Sequence, residues 1–227
     1  MSTITFPGII TNEQFENATE LWKQAVNSSS ASALQESFTA GGQLLASVKL
    51  PAAQLISLVS TVGLYRIKVK FGLLTDDTTG QLHFAVILYA ANTRDERISS
   101  YYTNATYWGA ATPPAPPTAE VPSSLAQVWL NNWQEVTQLS ADMFMTPLGA
   151  LEGYTFEAED FIRPLAHLQP GVESSLLVRF GLHQYYQPTP DGTDVAVRTF
   201  GLVLQLSSAT QPTEPMFDIS MPCPYTC

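Results

Sequence analysis

Val69-Lys70-Phe71-Gly72-Leu73 is spelled a second time, with one change, as Val178-Arg179-Phe180-Gly181-Leu182. The first copy closes a run in which Tyr65, Ile67, Val69 and Phe71 alternate with Arg66, Lys68 and Lys70. That two-residue period is the mark of a strand with one buried and one solvated face. Both words therefore read as strand-packing code: a buried Phe beside a Gly that admits a packed aromatic ring or starts a bend.

Working outward, further matches follow in the same order. Glu20–Val26 (ELWKQAV) answers Asn131–Thr137 (NNWQEVT), Phe38 answers Phe156, and Phe84–Leu88 (FAVIL) answers Phe200–Leu204 (FGLVL). The offsets are 111 for Trp22 to Trp133, 118 for Phe38 to Phe156, 109 for Val69 to Val178 and 116 for Phe84 to Phe200. Similar but unequal offsets are what a duplicated unit shows after its loops have drifted. The fold class expected is α+β: a tandem duplication of an α-then-β-hairpin unit, with antiparallel sheets packed against helices. The two hairpins form either one sheet or two, and joining them in one is the economical solution, because a lone hairpin is marginal in water.

Local signals fill in the unit. Thr11-Asn12 starts a helix over 12–27, with Phe15, Ala18, Leu21, Trp22 and Ala25 on its apolar face. Short helices are expected around Gln43–Leu50 and over Ala52–Ser60, the latter opened by Pro51. The turn TDDTTG leads to a return strand over Leu82–Ala90. In the second copy, Ser123-Ser124 caps a helix, Phe156–Leu168 reads as mostly helical, and Leu176–Tyr186 and Val195–Leu206 form the hairpin. The organisation expected is a first repeat over 1–102 with an N-terminal arm and a Pro-rich connector over 103–122. A second repeat over 123–206 and an extended tail over 207–227 complete it.

Composition limits the chemistry. Apolar residues make up 45 % of the 227 positions, enough for a substantial core. Charged residues make up only 13 %, about half the usual share, which favours association over a solitary monomer. The net charge of −10 argues against nucleic acid as the partner, and the one basic cluster, Arg66/Lys68/Lys70, reads as a solvated strand face. No apolar run is long enough to span a membrane and no signal peptide is visible, so the chain is expected in the cytoplasm.

No G-x-S-x-G elbow, phosphate loop or paired metal-ligand spacing occurs. His83 and His183 lie beside hairpin strands, are expected at corresponding sheet positions, and read as ordinary strand histidines. The acids at Asp76-Asp77, at Glu157/Glu159/Asp160 and at Asp191/Asp194 fall at turns and helix starts, and are expected to be solvated caps. No catalytic residue, metal or cofactor is therefore assigned. Cys223 and Cys227, in the final CPYTC, are candidate disulfide or intersubunit thiols. Tyr101, Tyr102, Tyr107, Trp108, Tyr185 and Tyr186 are the candidate aromatic surface for a ligand or an interface.

The helix, the VKFGL-like strand, the polar turn, the apolar return strand and the terminal PCPYTC resemble small uncharacterised bacterial proteins with a Cys-Pro-x-x-Cys-like tail. The resemblance implies helix-plus-hairpin units and no activity. The function expected is that of a non-enzymatic, self-assembling structural protein whose extended termini contact neighbouring copies. The alternative is a binding module with a peptide or small-ligand groove between the repeats.

Overall fold

The computed structural model describes residues 8–28, 31–77, 79–103, 106–109, 123–166, 174–189, 192–208, 216–217 and 220–223. In chain order the elements are β1 (Ile9–Ile10), α1 (Asn12–Asn27), α2 (Ala31–Ser37), β2 (Thr39–Ala40), β3 (Gln43–Pro51), α3 (Ala52–Val59), β4 (Arg66–Thr75), β5 (Leu82–Ala91), β6 (Tyr101–Thr103) and β7 (Thr106–Gly109). There follow α4 (Ser123–Gln134), a 3₁₀ turn (Ala141–Phe144), β8 (Met145–Thr146), β9 (Gly149–Ala150), β10 (Gly153–Glu157), α5 (Ala158–Leu165), β11 (Ser174–Pro188), β12 (Asp194–Ser208), β13 (Met216–Phe217) and β14 (Ser220–Cys223). The architecture is α+β, with antiparallel sheets packed against helices.

The helix expected over 12–27 forms as α1. Thr11 accepts from the Gln14 backbone N–H while the Gln14 side chain accepts from the Thr11 N–H, a reciprocal capping box. Two other expectations are corrected. Gln43–Leu50 is strand β3, because Leu45, Val48 and Leu50 turn into the core between two other strands. Phe156 lies in strand β10, and only Ala158–Leu165 is helical; His167 and Leu168 lie outside the described residues.

The strands make two main sheets. The first runs β1-β6-β5-β4-β10-β14; the second runs β13-β12-β11-β3, with β2 and β7 sharing the far edge of β3. Of the two arrangements left open, the hairpins take the second: they do not pair edge to edge but stack face to face in separate sheets. The reason is that each hairpin's inner edge is taken by a strand from the other half of the chain. β4 pairs with β10, placing Arg66 opposite Glu157 and Ile67 opposite Phe156. β11 pairs with β3, placing Ser175 opposite Pro51 and Leu176 opposite Leu50.

Between the sheets lies an aromatic core. Phe71 and Phe84 from the first sheet meet Phe180 and Phe200 from the second, with Phe38 and Phe144 stacked between them at 5.4 Å. Phe144, not Phe156, is therefore the structural counterpart of Phe38. Phe38 precedes the β2–β3 turn and Phe144 the β8–β9 turn, and each carbonyl accepts from a residue beyond its turn: Leu45 N–H to Phe38 O, and Leu151 N–H to Phe144 O.

α1 and α4 lie on the outer faces, giving four layers. A Cβ on Gly72 would press on Ala18 of α1, and one on Gly181 would press on Trp129 of α4. The two glycines admit a helix backbone rather than the bend or ring expected of them. Trp22 and Trp133 reach inward past the ends of β10 and β3. Their indole N–H groups donate to Leu151 O and Leu45 O, each at 2.8 Å. Those bonds satisfy two donors that full burial would otherwise leave costly.

Candidate functional site

The two hairpins end differently, and the candidate sites lie at those ends. In the first half the hairpin stops at Thr75 opposite Leu82. Its turn is held by Asp76 N–H to Gln81 O and Gly80 N–H to Asp76 O, both at 2.8 Å, with Gly80 at φ +71°. The Thr79 hydroxyl donates to the Asp76 carboxylate at 2.8 Å. Asp76 is 1 % exposed, so it is not the solvated turn acid that its sequence context suggests.

Beside this turn opens a cleft of about 660 Å³, lined by Glu36, Ser37, Gly42, Asp76, Thr79 and His83 among others. Burial pushes the His83 imidazole below its usual pKa, partly offset by the Asp76 charge and by the Ser37 backbone. The described lining carries the acids Glu36 and Asp76 and no Lys or Arg. The Ser37 hydroxyl donates to Leu34 O at 2.9 Å, so its proton is directed to the helix rather than to His83.

The basic row of β4 is corrected as well. Lys68 is 1 % exposed and meets Asp95 at 3.1 Å; Arg66 meets Glu157 at 3.2 Å; Lys70 and Lys23 each meet Glu152 at 3.0 Å. The loop carrying Asp95 is an Asn-anchored turn, in which the Asn92 side chain accepts from the Arg94 and Glu96 N–H groups and Asp95 adopts φ +61°. Burial lowers the Lys70 pKa against the opposing pull of Glu152. For Glu152 burial acts upward, but the two ammonium groups outweigh it and the pKa falls. This face is an ion-paired layer. Asp160, also buried, accepts from the Glu157 N–H at 3.0 Å, the capping role expected of it but out of solvent.

The six candidate aromatics are dispersed. Tyr101 is buried on the outer face of the first sheet, stacked on Phe15 at 4.0 Å with Arg97 over its ring. Tyr102 is partly buried against the main core. Tyr107 and Trp108 lie on β7, opposite Val48 and Ser47, and their side chains are outside the described residues. Tyr185 and Tyr186 lie on β11, 48 % and 66 % exposed. Val178 shares a register line with Val48 and so with Tyr107; Tyr185 is seven residues further along β11, about 23 Å away. Cys223 pairs through its backbone with Gly153 in β14, and Cys227 lies outside the described residues.

Tyr185 and Tyr186 belong to a feature that strand periodicity did not reveal. From the glycine beneath each helix, the first hairpin continues for three rungs, to Thr75, and the second for seven, to Pro188 opposite Asp194. β3 leaves β11 at Arg179, and β13 meets β12 only at Leu204 and Gln205. Residues 183–188 and 194–199 therefore form a two-stranded ribbon with no described strand on either edge. Its turn is closed by Thr189 N–H to Thr193 O and by Gly192 at φ +81°.

Among the described residues no group of three or more His, Cys, Asp or Glu is placed to hold a metal ion. No described helix is long and apolar enough to cross a membrane. Comparison of the chain with protein-family models, with curated proteins and with solved structures finds no match.

Proposed function

We propose that the protein is a non-enzymatic structural protein, built from two copies of a half-length unit, that assembles with copies of itself in the cytoplasm. The observation that carries this reading is the ribbon. Two strands alone are marginal in water, and open strand edges are sites of chain-to-chain pairing. This one also exposes Tyr185, Tyr186 and Val195. The sparse charge of the chain offers little repulsion against contact.

Of the terminal segments, the described parts β1, β13 and β14 add to sheet edges of their own chain. Support for the duplication comes from paired geometry, since the strand registers and ring distances of one half recur in the other. The test is sedimentation over a range of concentrations. Self-association is expected in the intact chain and its loss is expected when 185–197 are replaced by a two-residue turn. A concentration-independent monomer would end the reading.

Ligand binding has one observation in its favour, the cleft with buried Asp76 and His83. It is formed by residues 33–83 alone and so is not a groove between the halves. A rise in melting temperature with small ammonium compounds, lost in Asp76→Asn, would support it.

A further inference from the structure

On the self-assembly reading, the ribbon offers two edges, and they are not equivalent. The β11 edge, His183–Pro188, carries no Asp, Glu, Lys or Arg and ends in a proline that has no N–H to donate. The β12 edge reads Asp194-Val195-Ala196-Val197-Arg198, with Asp194, Val195, Ala196 and Arg198 exposed and Val197 half-buried. Asp194 and Arg198 lie at equal distances on either side of Ala196 and, being four residues apart, on the same face of the strand.

We infer that this edge binds a second copy of itself, antiparallel, about a twofold axis at Ala196. In that register Asp194 of each chain faces Arg198 of the other, and Val195 faces Val197, so an opposite-charge pair and a β-branched pair each occur twice. Both kinds of cross-strand pair are favourable. Moving the axis by one residue sets Asp194 against Ala196 and leaves both charges without their mates. The contact is isologous and uses the same edge on both copies, so it closes into a dimer and does not propagate. It would extend the second sheet of one subunit into that of the next.

Four proteins test this: the intact chain, Asp194→Lys, Arg198→Glu, and the two changes together. Each single change sets two repulsions in place of two attractions, and the dimer dissociation constant is expected to rise about tenfold or more. The double change restores the pairing with signs reversed and returns the constant to within about threefold of the intact chain's. The two single variants, mixed, are expected to form a heterodimer, because the lysine introduced in one then faces the glutamate introduced in the other. Both side chains are exposed, so melting temperatures should stay together and exclude misfolding. If the intact chain dimerises and neither single change weakens it, or the double change fails to restore it, this edge is not the contact, while self-assembly itself stands. If the intact chain remains a monomer up to about 100 μM, both readings fall.

Discussion

The two halves of the molecule match where they interlock and differ where they do not. Trp22 lies 5.8 Å from Phe71 and Trp133 lies 5.8 Å from Phe180; the next contacts, Trp22 to Phe84 and Trp133 to Phe200, are 5.2 and 5.1 Å. Trp22 meets Phe144 of the other half at 5.3 Å, and Trp133 meets Phe38 at 5.4 Å. At the hairpin ends the agreement stops: one end folds over a buried Asp76, and the other runs on as a ribbon. Close packing explains the contrast. A ring that touches several others cannot change alone, whereas an edge in solvent can lengthen without disturbing the interior.

The largest effects should come from the matched tryptophans. Trp22→Ala and Trp133→Ala are each expected to cost about 3–5 kcal/mol in denaturant unfolding, since each opens a cavity and leaves a carbonyl without its donor. A difference much beyond about 1 kcal/mol between them would break the equivalence.

Gly153 should give the next largest. At φ +145°, with Val69 O and the Lys70 backbone where a Cβ would stand, Gly153→Ala is expected to cost more than about 2 kcal/mol. The matching position in β3, Ser47, has an ordinary side chain, and Ser47→Ala should cost below about 1 kcal/mol.

His183 and its counterpart Leu74 separate the halves by pH. Burial pushes the His183 pKa down to about 4, its ring lying against Trp129 and Gly201. The unfolded chain takes up this proton near pH 6.5 and the folded chain only near 4, so stability is lost as pH falls through that window. His183→Leu should remove about 2 kcal/mol of the loss measured between about pH 7 and pH 4.5. An unchanged pH profile would show that the imidazole is not held neutral.

The smallest effect is expected from Lys68→Leu, which imports the residue found at Leu177 in the second half. It exchanges a buried ammonium for apolar packing and leaves Asp95 half-exposed beside Arg66, so it should alter stability by at most about 1 kcal/mol in chemical denaturation.

Long elements with a single period were legible in the sequence: α1 from its cap and apolar stripe, and both hairpins from alternation and turn residues. β3 was not, because Gln43–Leu50 (QLLASVKL) has an apolar pattern that suits a short helix or a strand, and the choice is made by β11 and β7 on either side. β10 failed similarly, since Phe156 precedes acids that do start a helix, but two residues later than its own position. The exchange of β3 and β10 between halves left no local trace. Nor did the burial of Asp76 and Lys68, which depends on loops packing over them. The ribbon is half legible: Tyr185 and Tyr186 stand out as aromatics, while the absence of a described strand on either edge emerges only from the registers.

Cross-strand backbone NOEs test the exchange of strands most directly. Contacts between Val48 and Val178, and between Tyr154 and Val69, are expected from the pairing of β3 with β11 and of β10 with β4. NOEs joining β3 to β4 and β10 to β11, each within its own half, would contradict it.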